Sequence, residues 1–178
     1  MLTKVLNMNK LDKRNKLHFW WFIIAIICTL ATYYYQRFKT TENYKTILQT
    51  AANKCNLEIV TLLVKDIVQN LSETALHSAS RGGCLNTIEF LILEEKVNIN
   101  ALDQYAFKRT ALHHAAFHGY LEIIEFLLEK GANPNIRDKD GKTSRKVAVL
   151  RSRHNKVKPY DEIIKLLAEA EDKFQANK

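Results

Sequence analysis

The sequence predicts an all-α solenoid of helix–turn–helix repeats preceded by one transmembrane helix. Three observations carry that prediction. A motif beginning Thr-Ala-Leu-His recurs at Thr74 and Thr110, and the next threonine in the same register is Thr143. Within the units, apolar residues return at helical spacing with charges on the opposite face. Upstream of them, the twenty residues from Leu17 to Gln36 carry no formal charge.

The N-terminal elements come first. Residues 1–16 form a basic segment with Lys4, Lys10, Lys13, Arg14 and Lys16. As a helix, the charge-free run 17–36 spans ~30 Å, the thickness of a bilayer's hydrocarbon core. Phe19, Trp20 and Trp21 stand at one end and Tyr33, Tyr34 and Tyr35 at the other, as interfacial aromatic belts do. The expectation is a single-pass membrane protein anchored through 17–36. A cleaved secretory signal ending at Thr29-Leu30-Ala31 competes with it, although three tyrosines follow that site and the apolar stretch is long and aromatic. A buried core helix is a third reading. The residues before Cys28 make a poor lipidation signal, because Ile27 is not small. Five basic residues precede the run and Arg37, Lys39, Lys45 and Lys54 closely follow it, too even a balance to set an orientation. Residues 37–42 read as a linker.

The repeats follow. From Thr110 the chain reads TALHHAAFHGYLEIIEFLLEKGANPNIRDKDGK, and from Thr74 it reads TALHSASRGGCLNTIEFLILEEKVNINALDQ. Both contain TALH, an Ala two positions after the His, a Gly in the turn, EFL and a closing Asn-x-Asn. On these residues the chain resembles the ankyrin repeat family, with Ala111 in place of the family's usual Pro. Units are expected at 43–73, 74–109, 110–142 and 143–172, the first and last degenerate, followed by a tail at 173–178. In the first unit Gln49 takes the place of the His and Cys55 that of the Gly. The fourth keeps Ala148 and a second helix from Tyr160, but inserts about eight residues between its helices. Terminal units of a stack are atypical because one face meets water. The expected helix pairs are 44–53 with 57–68, 75–81 with 85–94, 111–117 with 121–129, and 144–151 with 160–173.

Local chemistry supports the same elements. Leu121, Ile123, Ile124, Phe126, Leu127 and Leu128 make an apolar stripe, with Glu122, Glu125 and Glu129 opposite. Ala111, Ala115 and Ala116 give a thin first helix that lets neighbours approach. Gly119, Gly131 and Gly141 fall where the two helices end and a finger turns, sites that call for positive φ. Pro159, with Asp161 and Glu162 just after it, marks the start of the last helix. The resemblance implies that His77 and His113 are scaffold residues bonded to backbone between units.

Composition narrows the function. Apolar residues make up 47% and charged residues 26%, the balance of a globular protein. Three cysteines without a CxxC pair support neither a disulfide framework nor a zinc module. Cys55 and Cys84 fall in turns of adjacent units, where reduced structural thiols are expected. His114 and His118 lie four apart on a helix, but no Cys, Asp or Glu completes a ligand set, so no metal and no cofactor is expected. Nucleotide-loop, HExxH and GxSxG motifs are absent, so neither catalysis nor a small-molecule substrate is expected.

The net charge of +8 sits in blocks. Residues 1–39 hold seven Lys/Arg against one Asp, +6, and residues 137–158 hold nine against two, +7. The second block includes Lys142, Arg145, Lys146, Arg151, Arg153, Lys156 and Lys158 as a basic patch. No aromatic residue lies inside it to stack on bases, so nucleic acid is not the expected partner.

The expected function is a membrane-anchored, non-catalytic interaction module for an unidentified protein. The resemblance implies a concave surface of finger tips and first helices. Its variable exposed positions are Ser78, Arg81, Tyr105, Phe107, Lys108, Arg109, His114, Phe117, His118, Arg137 and Lys139. The finger around Tyr105 and Phe107 is two residues longer than the family's spacing, so its aromatics either meet a partner or fold back on a neighbouring unit. The alternative is an electrostatic module whose 137–158 segment binds anionic lipid or nucleic acid.

Overall fold

The computed structural model describes residues 26–27, 29–30, 42–66, 71–105 and 107–176. Residues 26, 27, 29 and 30 are helical; the rest of the 17–36 run lies outside the described residues. No helix among the described residues is long and apolar enough to cross a membrane. The chain divides into two compact units, Met1–Asn43 and Tyr44–Lys178, and the second holds the repeat stack.

Four helix pairs follow in order: α1 (42–53) and α2 (Leu57–Asp66), α3 (Ser72–Gly82) and α4 (Leu85–Leu93), α5 (Ala111–His118) and α6 (Leu121–Glu129), and α7 (Ser144–Ser152) and α8 (Tyr160–Ala176). Helices α3, α5 and α7 pack side by side in one layer; α4, α6 and α8 each pack against the first helix of their own pair, and α8 also packs on α6. Among the described residues all regular secondary structure is helical, so the expected all-α repeat stack is present.

The layers close over one apolar core. Ala75, Ala79, Ala111, Ala115, Ala116 and Ala148 are almost wholly buried, which lets the first-layer helices approach. Ile88, Leu91, Ile124, Leu127, Ile163 and Leu167 fill the space beneath them. Glu122 and Glu125 of α6 face water, as the periodicity predicts.

Capping explains where helices begin. Thr110, in an extended conformation, accepts a hydrogen bond on its side chain from the His113 backbone N–H, and Thr143 does the same for Lys146. Thr74 does not. Helix α3 starts at Ser72 rather than Ala75, preceded by Leu71 at φ −95° and ψ −12°. With the backbone already helical there, Thr74 falls inside the first turn and cannot cap. Helix α8 also runs three residues past its expected end. Gly83, Gly119, Gly131 and Gly141 all adopt positive φ. Gly82 matters for another reason: a Cβ there would clash with the Asn53 carbonyl oxygen, so α3 and α1 meet through backbone.

One expectation is overturned. Cys55 and Cys84 are joined in a disulfide, not held as separate thiols. The Gly82–Asn53 approach brings the two turns together, and the Cα atoms stand 5.0 Å apart, within bridging reach. Cys55 takes the turn at φ 58°, the conformation a glycine would otherwise supply.

Candidate functional site

Two fingers project between the helix pairs, and each is closed by one aspartate. In the finger after α6, Asp138 Oδ1 accepts from the backbone N–H groups of Asp140 and Lys142, and the Asp138 N–H donates to the Lys142 carbonyl. In the finger after α4, Asp103 Oδ1 accepts from Tyr105 and Arg109 N–H, and the Asp103 N–H donates to the Arg109 carbonyl. The same turn is therefore built over 103–109 and over 138–142, which locates the two-residue insertion. Lys108, at φ 51°, takes the left-handed step that Gly141 takes in the shorter finger. The fingers are stitched together where the Lys139 N–H donates to the Phe107 carbonyl at 2.8 Å.

Histidines tie the fingers to the first-layer helices. His77 Nε2 donates to the Ala101 carbonyl at 2.8 Å, and His113 Nε2 donates to the Lys142 carbonyl at 3.0 Å, the backbone role that the resemblance implies. Since a carbonyl only accepts, Nε2 carries the proton, which leaves His113 Nδ1 to accept from the Thr110 hydroxyl at 2.8 Å. Burial lowers the pKa of both rings. His114 Nε2 donates to Asp103 Oδ2 at 2.7 Å. Burial alone would raise the Asp103 carboxyl; the bonds from His114 and the Arg109 backbone outweigh it and hold it below its ordinary range.

The insertion leaves its aromatics on the surface, stacked with arginines. Tyr105 is 40% exposed and Phe107 48%. Tyr105 leans over the first-layer helices: Gln49 of α1 donates to its hydroxyl at 3.0 Å, and the Arg81 guanidinium lies 5.2 Å from its ring centroid. Arg109 stands 4.7 Å from the Phe107 ring and 5.3 Å from that of Phe117, while its Nε meets buried Asp138 at 3.4 Å. Arg151 covers Phe117 at 4.2 Å. The row continues through His118, packed against Phe117 and Tyr120, to Lys158 over Tyr120 at 5.0 Å. Burial, reinforced by His114, Arg151, Arg81 and Lys158, lowers the His118 pKa to about 4, so that ring is neutral near pH 7. These cations stacked on aromatic rings form a continuous finger face.

Most of the residues read as variable positions lie on or beside this face. Arg81, Arg109, Phe117 and His118 are half-buried, and Lys108, Arg137 and Lys139 are exposed. Two expectations need correction. Ser78 is fully buried and His114 is 8% exposed, because Ser78 points into the helix layer and His114 turns towards Asp103. Neither can meet a partner directly. The basic patch also breaks up. Lys142 pairs with Asp140 and Arg145 with Glu171, Arg151 joins the aromatic row, and Lys146, Arg153, Lys156 and Lys158 remain exposed. Gln49 and Asp103 are structural parts of the face that the sequence reading leaves unassigned. The recurrence of Asp103 and Asp138 before their fingers is a signal that marks one of them. Among the described residues no group of three or more His, Cys, Asp or Glu is placed to hold a metal.

Comparison with known proteins agrees with this architecture. The family model for the ankyrin repeat matches residues 107–139. The model for ankyrin repeats in three copies matches residues 23–103, so it begins inside the charge-free run. A comparison with curated proteins gives no match. The matched stretches and the helical stack together support an ankyrin-repeat architecture.

Proposed function

We propose that this ankyrin-repeat protein is a membrane-anchored, non-catalytic module that holds a protein partner on its finger face. Ankyrin repeats are in general protein–protein interaction modules. The observation that carries the reading is the lengthened 103–109 finger, which holds Tyr105 and Phe107 about half exposed on a base of stacked arginines. Aromatic and arginine side chains are those enriched where binding energy concentrates. The ionisable pairs nearby, His114 with Asp103 and Arg109 with Asp138, tie the long finger to α5 and to the next finger. Support for the anchor is the charge-free run 17–36 with aromatic residues at both ends.

Affinity capture with the full-length chain tests this. A protein retained by the native chain should be lost with Tyr105→Ala/Phe107→Ala and kept with Glu122→Ala/Glu125→Ala on the outer helix. Retention by both variants, or loss with the outer-helix variant alone, removes the finger face as the binding surface.

A further inference from the structure

We propose that the finger face docks an extended, acidic segment of a partner protein, with Arg81 and Arg151 each taking a side-chain carboxylate. This rests on the finger-face reading and names the chemistry of the partner. The first ground is charge. The acids set into the face, Asp103 and Asp138, are 3% and 5% exposed and are committed to closing their fingers. Arg81 and Arg151 have no carboxylate partner among the described residues, and both side chains are half-buried. Exposed Lys108 and Lys139 add to the same sign.

The second ground is preorganisation. A guanidinium laid on a ring has its flat face fixed, which leaves in-plane N–H groups for a carboxylate. Tyr105 holds Arg81 with its ring centroid 5.2 Å away and its hydroxyl accepting from Nη2 at 3.5 Å, leaving the other N–H groups of Arg81, and the Phe117 ring lies 4.2 Å from Arg151. The third ground separates peptide from nucleic acid. Base recognition on such a surface needs free ring faces for stacking. Phe117 has both Arg109 and Arg151 against its ring, so protein cations already take its faces.

Geometry sets the spacing of the segment. Arg81 is on α3 and Arg151 on α7, with α5 between them. Two interhelical steps of about 8–10 Å each separate them. An extended chain rising about 3.3 Å per residue covers that distance in roughly five or six residues. Half-exposed Phe107 favours an apolar residue between the two acids.

The test is selection of displayed random peptides on the full-length chain, followed by fluorescence anisotropy of the enriched sequences. The expected peptides carry Asp or Glu five or six positions apart with an apolar residue between. Replacing their acids by amides should weaken binding at least tenfold on the unaltered protein. Arg81→Gln and Arg151→Gln should each do likewise, with the circular dichroism spectrum unchanged. Neutral or basic peptides that lose binding with Tyr105→Ala/Phe107→Ala would overturn the acidic partner and leave the finger-face reading standing. Peptides indifferent to both sets of changes, or no enrichment, would count against both. Displacement of the acidic peptide by an equal concentration of single-stranded oligothymidylate at 0.15 M salt would assign the face to nucleic acid instead.

Discussion

His113 shows how much one side chain can organise. Its backbone N–H meets the Thr110 cap, its Nδ1 accepts from the same threonine, and its Nε2 reaches the next finger at Lys142. The TALH motif made this legible, because the family resemblance assigns the motif histidine a backbone partner. Ser78 and His114 follow the same motif histidines, yet nothing in the sequence says that they turn inward. A helix face is set by its neighbours, and His114 turns because buried Asp103 lies 11 residues upstream to receive it. The buried rings make stability pH-dependent. His77, His113 and His118 all have folded pKa values below 6.5, that of His118 at about 4. Between those limits the unfolded chain binds more protons than the folded one, so stability is full above pH 6.5 and falls as the pH drops. Asp103, whose folded pKa lies below 3.8, adds a further loss only below about pH 4. Melting temperature should therefore decline from pH 6.5 to 5; a flat profile there would contradict the neutral, buried histidines. Leu127, fully buried, should cost ~2–5 kcal/mol when changed to Ala. Glu122→Ala on the exposed side of the same helix should cost less than ~0.5 kcal/mol. Denaturant titration compares the two, and equal effects would mean that the faces of α6 are misassigned.

At the scale of elements, the periodic helices were legible and the contacts between units were not. Helix α6 occupies the predicted residues because its apolar stripe and bounding glycines specify both face and ends. The early start of α3 was hidden, since Thr74 carries the same motif as Thr110 but lies in backbone that is already helical. The Cys55–Cys84 bridge was hidden for a different reason. It depends on two turns from different units meeting in space, and their separation of 29 residues carries no such information. Closing a loop of that length should stabilise the fold by about 3–4 kcal/mol in the chain-entropy account. Reduction, or Cys84→Ser, should therefore lower the urea midpoint; an unchanged midpoint under reductant would show that the bridge does not form. Gly82→Ala belongs to the same junction. Its Cβ would strike backbone at Asn53, which has no flexible end to swing aside, so a loss of about 1–3 kcal/mol is expected.

At the scale of the whole molecule, composition and repeats pointed to an interaction protein. The proposed partner-binding face emerges only when the fingers are folded. The arginines that line it come from three segments, at Arg81, Arg109 and Arg151, and the aromatics that pin them come from two more positions in the long finger and one at the end of α5. If residues 17–36 anchor the chain, as proposed, full-length protein should stay with membranes through high-salt and alkaline washing. Its release by the alkaline wash would remove the anchor and leave the binding face untouched. The central claim, that a partner protein sits on the finger face, is met most directly by site-specific photocrosslinking in cells. A photoreactive phenylalanine analogue would be placed in the full-length chain at Phe107 and, separately, at Glu125 on the outer layer. The account predicts a discrete protein adduct from position 107 and none from 125; an adduct from 125 alone, or from neither, would contradict it.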